Sequence, residues 1–168
     1  AEAEIEYHDH KSHTIWVRFK VTQAEAIGSS ESIEPLLGSD VIIWTTTPWT
    51  IPSNRAVAYN PEISYGLYEV TGTQEECWAS VGDRLIIADN LADDTLSRSR
   101  VTAWQRIGDV NPRQINNMAH PFAGLGGAEG FWDYDVPMIA EDYVTDDQGT
   151  GFVHTAPSHG ADDYDAFA

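Results

Sequence analysis

The sequence is poor in basic residues, cysteine and long apolar runs. Nine lysines and arginines stand against 27 aspartates and glutamates, which gives a net charge of −18. Phosphate contacts need Lys and Arg, so this charge argues against nucleic-acid binding by the chain on its own. Cys77 is the single cysteine, which excludes a disulfide within the chain and favours a reducing, cytoplasmic setting. No apolar stretch approaches the roughly 20 residues of a membrane helix. The acidic start, Ala1 to Glu4, is unlike a signal peptide.

Length and apolar content predict a single folded domain over residues 1–168. The chain is 42% hydrophobic and has six tryptophans, which is typical of a protein with a buried core. Apolar and polar residues alternate in several short stretches, most clearly at Ile15, Val17, Phe19 and Val21. Many short strands separated by few helices favour a mainly β fold, with a β-barrel core and peripheral α-helices.

Other local patterns predict four further elements. We expect a helix over residues 89–99, a hairpin joining 77–81 to 84–88, a short helix near 113–118, and a short strand at 143–145. His8, His10 and His13 have a spacing that could hold a metal, but their polar surroundings favour a solvated turn.

The stretch from Trp44 to Asn54 reads Trp-Thr-Thr-Thr-Pro-Trp-Thr-Ile-Pro-Ser-Asn. It follows the β-branched residues 41–43, which predict a buried strand. Pro48 and Pro52 stop a regular ladder, so three threonine hydroxyls come at the end of that strand, beside two indole rings. An edge strand whose threonines only pack is the alternative interpretation.

Residues 149–164 read Gly-Thr-Gly-Phe-Val-His-Thr-Ala-Pro-Ser-His-Gly-Ala-Asp-Asp-Tyr and predict a strand, a loop and a helix. His154 lies at the end of the strand, His159 in the loop, and Asp162 and Asp163 in the first turn of the helix. Acidic residues at a helix start stabilise the helix without any further role. Two carboxylates and two imidazoles around a glycine loop are also the groups that a polar binding pocket needs.

Together the two stretches resemble the editing domain of isoleucyl-tRNA synthetases, the insertion called connective peptide 1. Both motifs match in order and separation, and the valine enzymes carry Thr-Arg-Pro where this chain has Thr46, Thr47 and Pro48. The resemblance covers nearly the whole chain and is weakest between residues 71 and 111. Ser158 stands where the family usually has glycine, and Phe152 replaces a commonly smaller residue. The sequence motifs of synthetase ATP chemistry, which the resemblance places outside the insertion, are absent. We therefore expect residues 1–168 to be an editing domain excised from a longer synthetase.

The resemblance implies a β-barrel core decorated by helices and a hydrolytic activity. The implied reaction cleaves the ester that joins valine to the tRNA for isoleucine, with valyl-adenylate as a second substrate, and excludes isoleucine by size. One missing methylene changes the binding energy too little for the synthetic site to reject valine. Isoleucyl-tRNA synthetases are the standard example of this limit on selectivity. The implied partners are the 3′ aminoacyl-adenosine end of tRNA, its valine moiety and the remainder of the synthetase. No cofactor or metal is implied in this domain.

The resemblance also implies the site residues. The catalytic group corresponds to Asp163, Thr45 and Thr46, and the substrate-binding group to Trp44, Thr47, Trp49, Asn54, His154, His159 and Asp162. Asp163 would bind the α-ammonium of the amino acid, which needs a charged partner when buried. His154 would line the side-chain slot. Trp49 would stack on the RNA end or pack as a core or rim residue, and His159 and Asp162 would bind substrate or brace the loop.

No Ser-His-Asp or Cys-His arrangement is evident, so we expect a positioned water rather than a covalent intermediate. Three alternatives stay open at this point. The chain could be the editing domain of a leucyl- or valyl-type synthetase, a metal-dependent hydrolase that uses His154, His159, Asp162 and Asp163, or a noncatalytic acidic interaction module.

Overall fold

The computed structural model describes residues 15–27 and 34–156. Within these ranges the chain forms nine strands: β1 (Ile15–Ala24), β2 (Asp40–Thr45), β3 (Ala56–Tyr59), β4 (Tyr65–Thr73), β5 (Arg84–Ala88), β6 (Val101–Val110), β7 (Ile115–Ala119), β8 (Asp135–Ala140) and β9 (Val153–Thr155). The α-helix in the described part, α1, spans Asp89–Arg98, and two 3-10 helices span Pro48–Ser53 and Pro112–Gln114. The predicted mainly β fold with few helices is confirmed.

The strands follow one another in the order β6-β4-β5-β2-β1-β7-β8-β3-β9. The pairs β2–β5 and β3–β8 are parallel, and the other pairs are antiparallel. The first part of β1 pairs with β2 and its last part with β7, so β1 joins two regions of the sheet. Beyond β1 the sheet curls until β9 comes close to β2. The described strands form no closed barrel, because no ladder joins β9 to β2 and the sheet keeps β6 and β9 as its ends.

The core lies around the central strands β2 and β5. Residues 41–43 of β2 and 85–87 of β5 have no exposed surface, because both faces of this part of the sheet are covered. This double coverage explains why both strands read as continuous apolar runs rather than as alternating patterns. Tyr65 extends the core towards β9: its ring stacks on Phe152 at 4.5 Å, and its hydroxyl donates to the carbonyl of Gly151 at 2.6 Å.

Several local predictions can be compared with the described residues. The strand that begins at Ile15 and the helix over residues 89–99 are confirmed. The hairpin between 77–81 and 84–88 is wrong: β5 pairs with β4 and β2, and residues 77–81 form no strand. The helix near 113–118 is also wrong, because the chain makes one 3-10 turn and then enters β7, where Ile115 and Met118 are buried. Residues 143–145 form no strand. His8, His10 and His13 lie outside the described residues.

Three side chains near β7 and β8 hold the loop that follows β2. His120 Nε2 donates to the carbonyl of Ile51 at 2.9 Å, Trp132 Nε1 to that of Pro52 at 3.0 Å, and the Tyr134 hydroxyl to that of Asn54 at 2.5 Å. We call His120, Trp132 and Tyr134 the loop brace. The imidazole is sandwiched among aromatic rings, with the centre of Trp132 at 6.0 Å and that of Tyr134 at 5.5 Å. Carbonyls of an irregular loop thus gain specific side-chain donors, and that of Ile51 also accepts from the backbone amide of Asn54 at 2.9 Å.

The loop brace requires a neutral His120. Its Nδ1 accepts from the amide of Phe122 at 3.0 Å, so only Nε2 carries a proton. Burial lowers the pKa of His120 below its ordinary value of 6.5. The hydrogen bond to the Ile51 carbonyl opposes this effect and the charge of Arg55 reinforces it. Protonation would place two N–H groups against each other at Nδ1.

We expect His120 to make the fold less stable in mild acid. Because its pKa is lowered in the folded state, its contribution to stability is complete above pH 6.5 and declines as the pH falls towards the folded pKa. The matched control is His120→Gln, which keeps a donor for the Ile51 carbonyl but does not titrate. The free energy of unfolding, measured with urea at pH 7.5 and pH 5.0, should show wild type losing more stability than the variant. Equal losses in both proteins would contradict this role.

Candidate functional site

A cavity of about 370 Å³ opens where the end of β2 faces β9. We call it the threonine pocket; its lining consists of Trp44, Thr45, Thr46, Thr47, Thr50, Tyr143, Thr145, Gln148, Gly149, Gly151, Phe152, Val153 and His154. Six of the predicted site residues lie in or beside it: five line it, and Asn54 contacts one of the five. The threonine run and the strand at residues 152–155, far apart in sequence, therefore meet in one cavity.

The threonine run makes a tight turn as soon as β2 ends. Thr45 is buried, and its Oγ1 accepts from the amide of Thr47 at 3.0 Å and lies 3.3 Å from the Thr47 hydroxyl. A hydroxyl that bonds the backbone two residues later supports a turn without help from a sheet. Pro48 then begins the 3-10 helix, where its missing N–H costs nothing. Thr46, between the two bonded threonines, is exposed and lines the pocket.

His154 sits on β9 between two polar side chains of the loop. Its Nε2 lies 2.7 Å from the Thr50 hydroxyl, and its Nδ1 lies 2.8 Å from Asn54 Nδ2. The Thr50 hydroxyl also donates to the carbonyl of Thr47 at 2.8 Å, so at His154 it can only accept. Nε2 is therefore the protonated nitrogen of His154.

The amide of Asn54 requires the same tautomer. Asn54 is fully buried, and its Nδ2 also donates to the carbonyl of Ala56 at 2.9 Å, which fixes which end of the amide is the donor. Asn54 Nδ2 therefore donates to Nδ1 of His154, which must be unprotonated. Both ring nitrogens of His154 are engaged, and the imidazole is held as a fixed, neutral wall of the pocket. The Oδ1 atom of Asn54 is buried with no hydrogen-bond partner among the described residues.

Two glycines allow the opposite wall to approach closely. A Cβ on Gly151 would lie 2.4 Å from the Cβ of Ala88, and its φ of +86° disfavours other residues. A Cβ on Gly149 would touch the ring of Trp44 at 3.6 Å, and its φ is +79°. Phe152 stacks on Tyr65 and is 3% exposed, so its large ring, a departure from the family pattern, lies mostly in the core.

The two tryptophans of the motif have different surroundings. Trp44 lines the threonine pocket, and its indole Nε1 is buried without a hydrogen-bond partner in the described part of the chain. Trp49 is 68% exposed, which excludes the core position that the sequence left open. Its ring is accessible at the surface of the loop.

Sequence reasoning missed Thr50, Tyr143 and Gln148, which also line the pocket. Thr50 lies within the Trp-Thr-Thr-Thr-Pro-Trp-Thr motif, and this position was the signal that could have identified it. Tyr143 lies in the segment that the sequence assigned to a short strand, and Gln148 lies outside both motifs. The loop brace was missed as well, because no local pattern connects it to the loop.

Charged groups are absent from the pocket lining as far as the structure describes it. No group of three or more His, Cys, Asp or Glu within residues 15–27 and 34–156 could hold a metal ion. His159, Asp162 and Asp163 lie outside these ranges.

Among the described helices, none has the length and apolar character needed to cross a bilayer.

The relatives found by sequence indicate one family, and the similar solved structures indicate one fold. No family model matches the chain. Isoleucine–tRNA ligases of Ruegeria pomeroyi and Caulobacter vibrioides are 53% and 54% identical to it over 99% and 98% of its length. The chain spans about 16% of the length of these relatives.

Among solved structures, GlLeuRS-CP1 superposes with a TM-score of 0.64 at 14% identity, over 92% of this chain and 59% of that one. The editing domain of the cytosolic leucyl-tRNA synthetase of P. falciparum superposes with a TM-score of 0.60 at 10% identity, over 90% of this chain and 63% of that one. The fold is thus that of connective peptide 1 editing domains, and the chain belongs to the isoleucine–tRNA ligase family.

Proposed function

We propose that the threonine pocket removes valine from tRNA that should carry isoleucine, by hydrolysis of the aminoacyl ester. The observation that carries this proposal is the fixed imidazole of His154, which forms a rigid wall in a small, hydroxyl-rich cavity whose described lining has no charged side chain. A site that must admit valine and refuse isoleucine needs a wall that does not yield by the size of one methylene. Valyl-adenylate, which presents the same amino acid, is a second substrate of the same pocket.

His154 acts as this wall and takes no proton from the attacking water. Its Nδ1 accepts from Asn54 and its Nε2 donates to Thr50, so neither nitrogen has a lone pair for a water proton. The same two bonds argue against the metal-hydrolase alternative, in which His154 would need to coordinate through one of these nitrogens. We propose no metal or cofactor in this domain.

The threonines supply hydroxyl groups for the rest of the substrate. Thr45 and Thr46 are the proposed catalytic pair, whose hydroxyls would lie beside the ester and stabilise the negative charge that develops on its carbonyl oxygen. Thr47 would bind the terminal adenosine, and Trp44 and Trp49 offer flat surfaces beside it. Water attacks the carbonyl carbon, and the ribose oxygen leaves with a proton, so no bond to the protein forms.

The α-ammonium of the amino acid requires a carboxylate from elsewhere. The described lining contains no carboxylate, although a buried ammonium is stable only beside one. We assign this role to Asp163, with Asp162 and His159 next to it. The partners are therefore the 3′ end of the tRNA and the rest of the synthetase, and the proposed setting is the cytoplasm.

We expect the chain to bind a nonhydrolysable 2′-valylamino-adenosine more tightly than its isoleucyl counterpart, by roughly tenfold or more, which equals about 1.4 kcal/mol. The larger side chain would clash with His154 and the facing wall. In Asp163→Asn, which keeps the shape and removes the charge, the valyl analogue should lose about 2–5 kcal/mol of binding free energy. Calorimetry on the 168-residue chain would measure both effects.

The matched control is an analogue that lacks only the amino group, 2′-(3-methylbutanoylamino)-adenosine. It should bind wild type and Asp163→Asn equally, because it presents no ammonium. If the folded Asp163→Asn variant bound the valyl analogue as wild type does, the role of Asp163 would be wrong. If wild type bound neither aminoacyl analogue, the proposed function itself would be wrong for this chain.

We also expect His154→Ala to relax the size limit. Removing the imidazole opens space in the slot, so the preference for the valyl over the isoleucyl analogue should fall by roughly tenfold. Thr50→Val is the control, because it keeps the imidazole and removes only the hydroxyl that accepts from Nε2. Because Asn54 still holds the other ring nitrogen, that variant should keep most of the preference. An unchanged preference in His154→Ala would show that His154 does not set the size limit.

A further inference from the structure

A second cavity of about 210 Å³ adjoins the threonine pocket. The two share Trp44, Gln148 and Gly149. We call the second cavity the tryptophan groove; its lining consists of Trp16, Trp44, Leu91, Asp94, Thr95, Arg98, Asp147, Gln148 and Gly149. None of the residues that are specific to this groove has been used in the proposed reaction.

The groove is built from the β1–β2 pair and one face of α1, which contributes Leu91, Asp94, Thr95 and Arg98. Trp16 and Trp44 face each other in the antiparallel register, so both indoles lie on the same face of the sheet. Arg98, in the last turn of α1, lies over the Trp16 ring at 5.5 Å from its centre. Trp16 is only partly buried, although it packs against the core. The groove therefore presents a rigid aromatic surface beside a planar guanidinium.

The charges of the groove favour a flat neutral ligand over a phosphate. Arg98 is paired with Asp94 at 3.5 Å, and Asp147 adds a second carboxylate. One cation and two anions give the groove a net negative charge, so a phosphate group would be repelled. A nucleobase is neutral, and every base has a face that stacks on an indole. A base with an exocyclic amine can also donate to a carboxylate, as cytosine N4 does to Asp or Glu.

We infer that the tryptophan groove binds the base of the nucleotide preceding the terminal adenosine of the tRNA, stacked on Trp16. The inference rests on the proposed function, which places the terminal adenosine in the threonine pocket. The shared wall at Trp44 means that a strand leaving that pocket over this residue reaches the groove. The preceding nucleotide is unpaired and is a cytidine in tRNA, and unpaired bases are usually read by stacking.

The experiment compares three nonhydrolysable valyl amides by calorimetry on the 168-residue chain. They are valylamino-adenosine, the same compound extended on its 5′ side by a cytidylyl nucleotide, and an extension of equal length with an abasic ribose in place of the cytidine. We expect the cytidylyl compound to bind about 5- to 100-fold more tightly than the abasic one, because only it supplies a stacking base. Trp16→Leu keeps an apolar side chain and should reduce this advantage to within about twofold.

Trp104→Leu is the matched control. Trp104 is also partly buried and packed against the core, but it lies on β6, at the end of the sheet. This variant should keep the full advantage of the cytidylyl compound. An NMR measurement needs no variant: in wild type, the H5 and H6 protons of the cytosine should show cross-relaxation with the Trp16 ring. The NMR measurement therefore tests whether the cytosine stacks on Trp16 even if Trp16→Leu does not fold.

The failure of the inference and the failure of the proposed function give different results. If valylamino-adenosine binds and the cytidylyl and abasic extensions are equivalent, the groove does not bind the base and the inference is overturned. Loss of the advantage in Trp49→Leu but not in Trp16→Leu would also overturn it, by moving the base to the exposed tryptophan of the loop. If no valyl compound binds, both proposals are overturned.

Discussion

The hydrogen bonds of the Asn54 side chain are the constraint on which the candidate site depends. Its amide donates to the carbonyl of Ala56 and to His154, and its backbone carbonyl accepts from Tyr134. One buried residue thereby connects the loop after β2, the start of β3, strand β9 and the loop brace. Because Asn54 is fully buried, removing one of its partners would leave a buried polar group unpaired, at a cost of about 1–3 kcal/mol. The geometry of the pocket wall is therefore tied to the stability of the loop.

Because the chain is strongly acidic, attraction between basic side chains and phosphates would contribute little to the binding of an RNA end. Several of its few cations are already neutralised in ion pairs: Arg18 and Lys20 with Asp40, Arg98 with Asp94, and Arg106 with Asp89 and Asp109. The exposed pair of Arg98 and Asp94 adds little stability, but all of these ion pairs leave little positive field for a phosphate backbone. Recognition by hydroxyls, stacking surfaces and shape suits such a surface. It also suits a ligand of a few nucleotides whose remaining phosphates are held elsewhere.

The sequence predicted the parts of the site that local patterns encode. The strand before Thr45, the turn at Pro48 and the strand that carries His154 follow from apolar runs, prolines and hydroxyl residues. The loop brace could not be predicted this way, because its donors lie 69 to 80 residues from the carbonyls they bind. The prediction of a hairpin at residues 77–88 failed for a related reason. Strand β5 pairs with β4 on one edge and with β2 on the other, so tertiary packing, and not the adjacent Gly-Asp turn, determines its partners.

The discrimination by size that we propose requires the pocket to keep its dimensions when a ligand enters. A wall that moved by an ångström would admit one more methylene, and the energetic difference between valine and isoleucine would vanish. The structure limits such movement from two sides. His154 is held at both ring nitrogens, and the facing segment at Gly149 and Gly151 packs against Trp44 and Ala88 with no space for a Cβ at Gly151. Close packing of this kind resists deformation. We propose that such a pocket refuses a larger substrate because accommodating it would break the hydrogen bonds that hold His154.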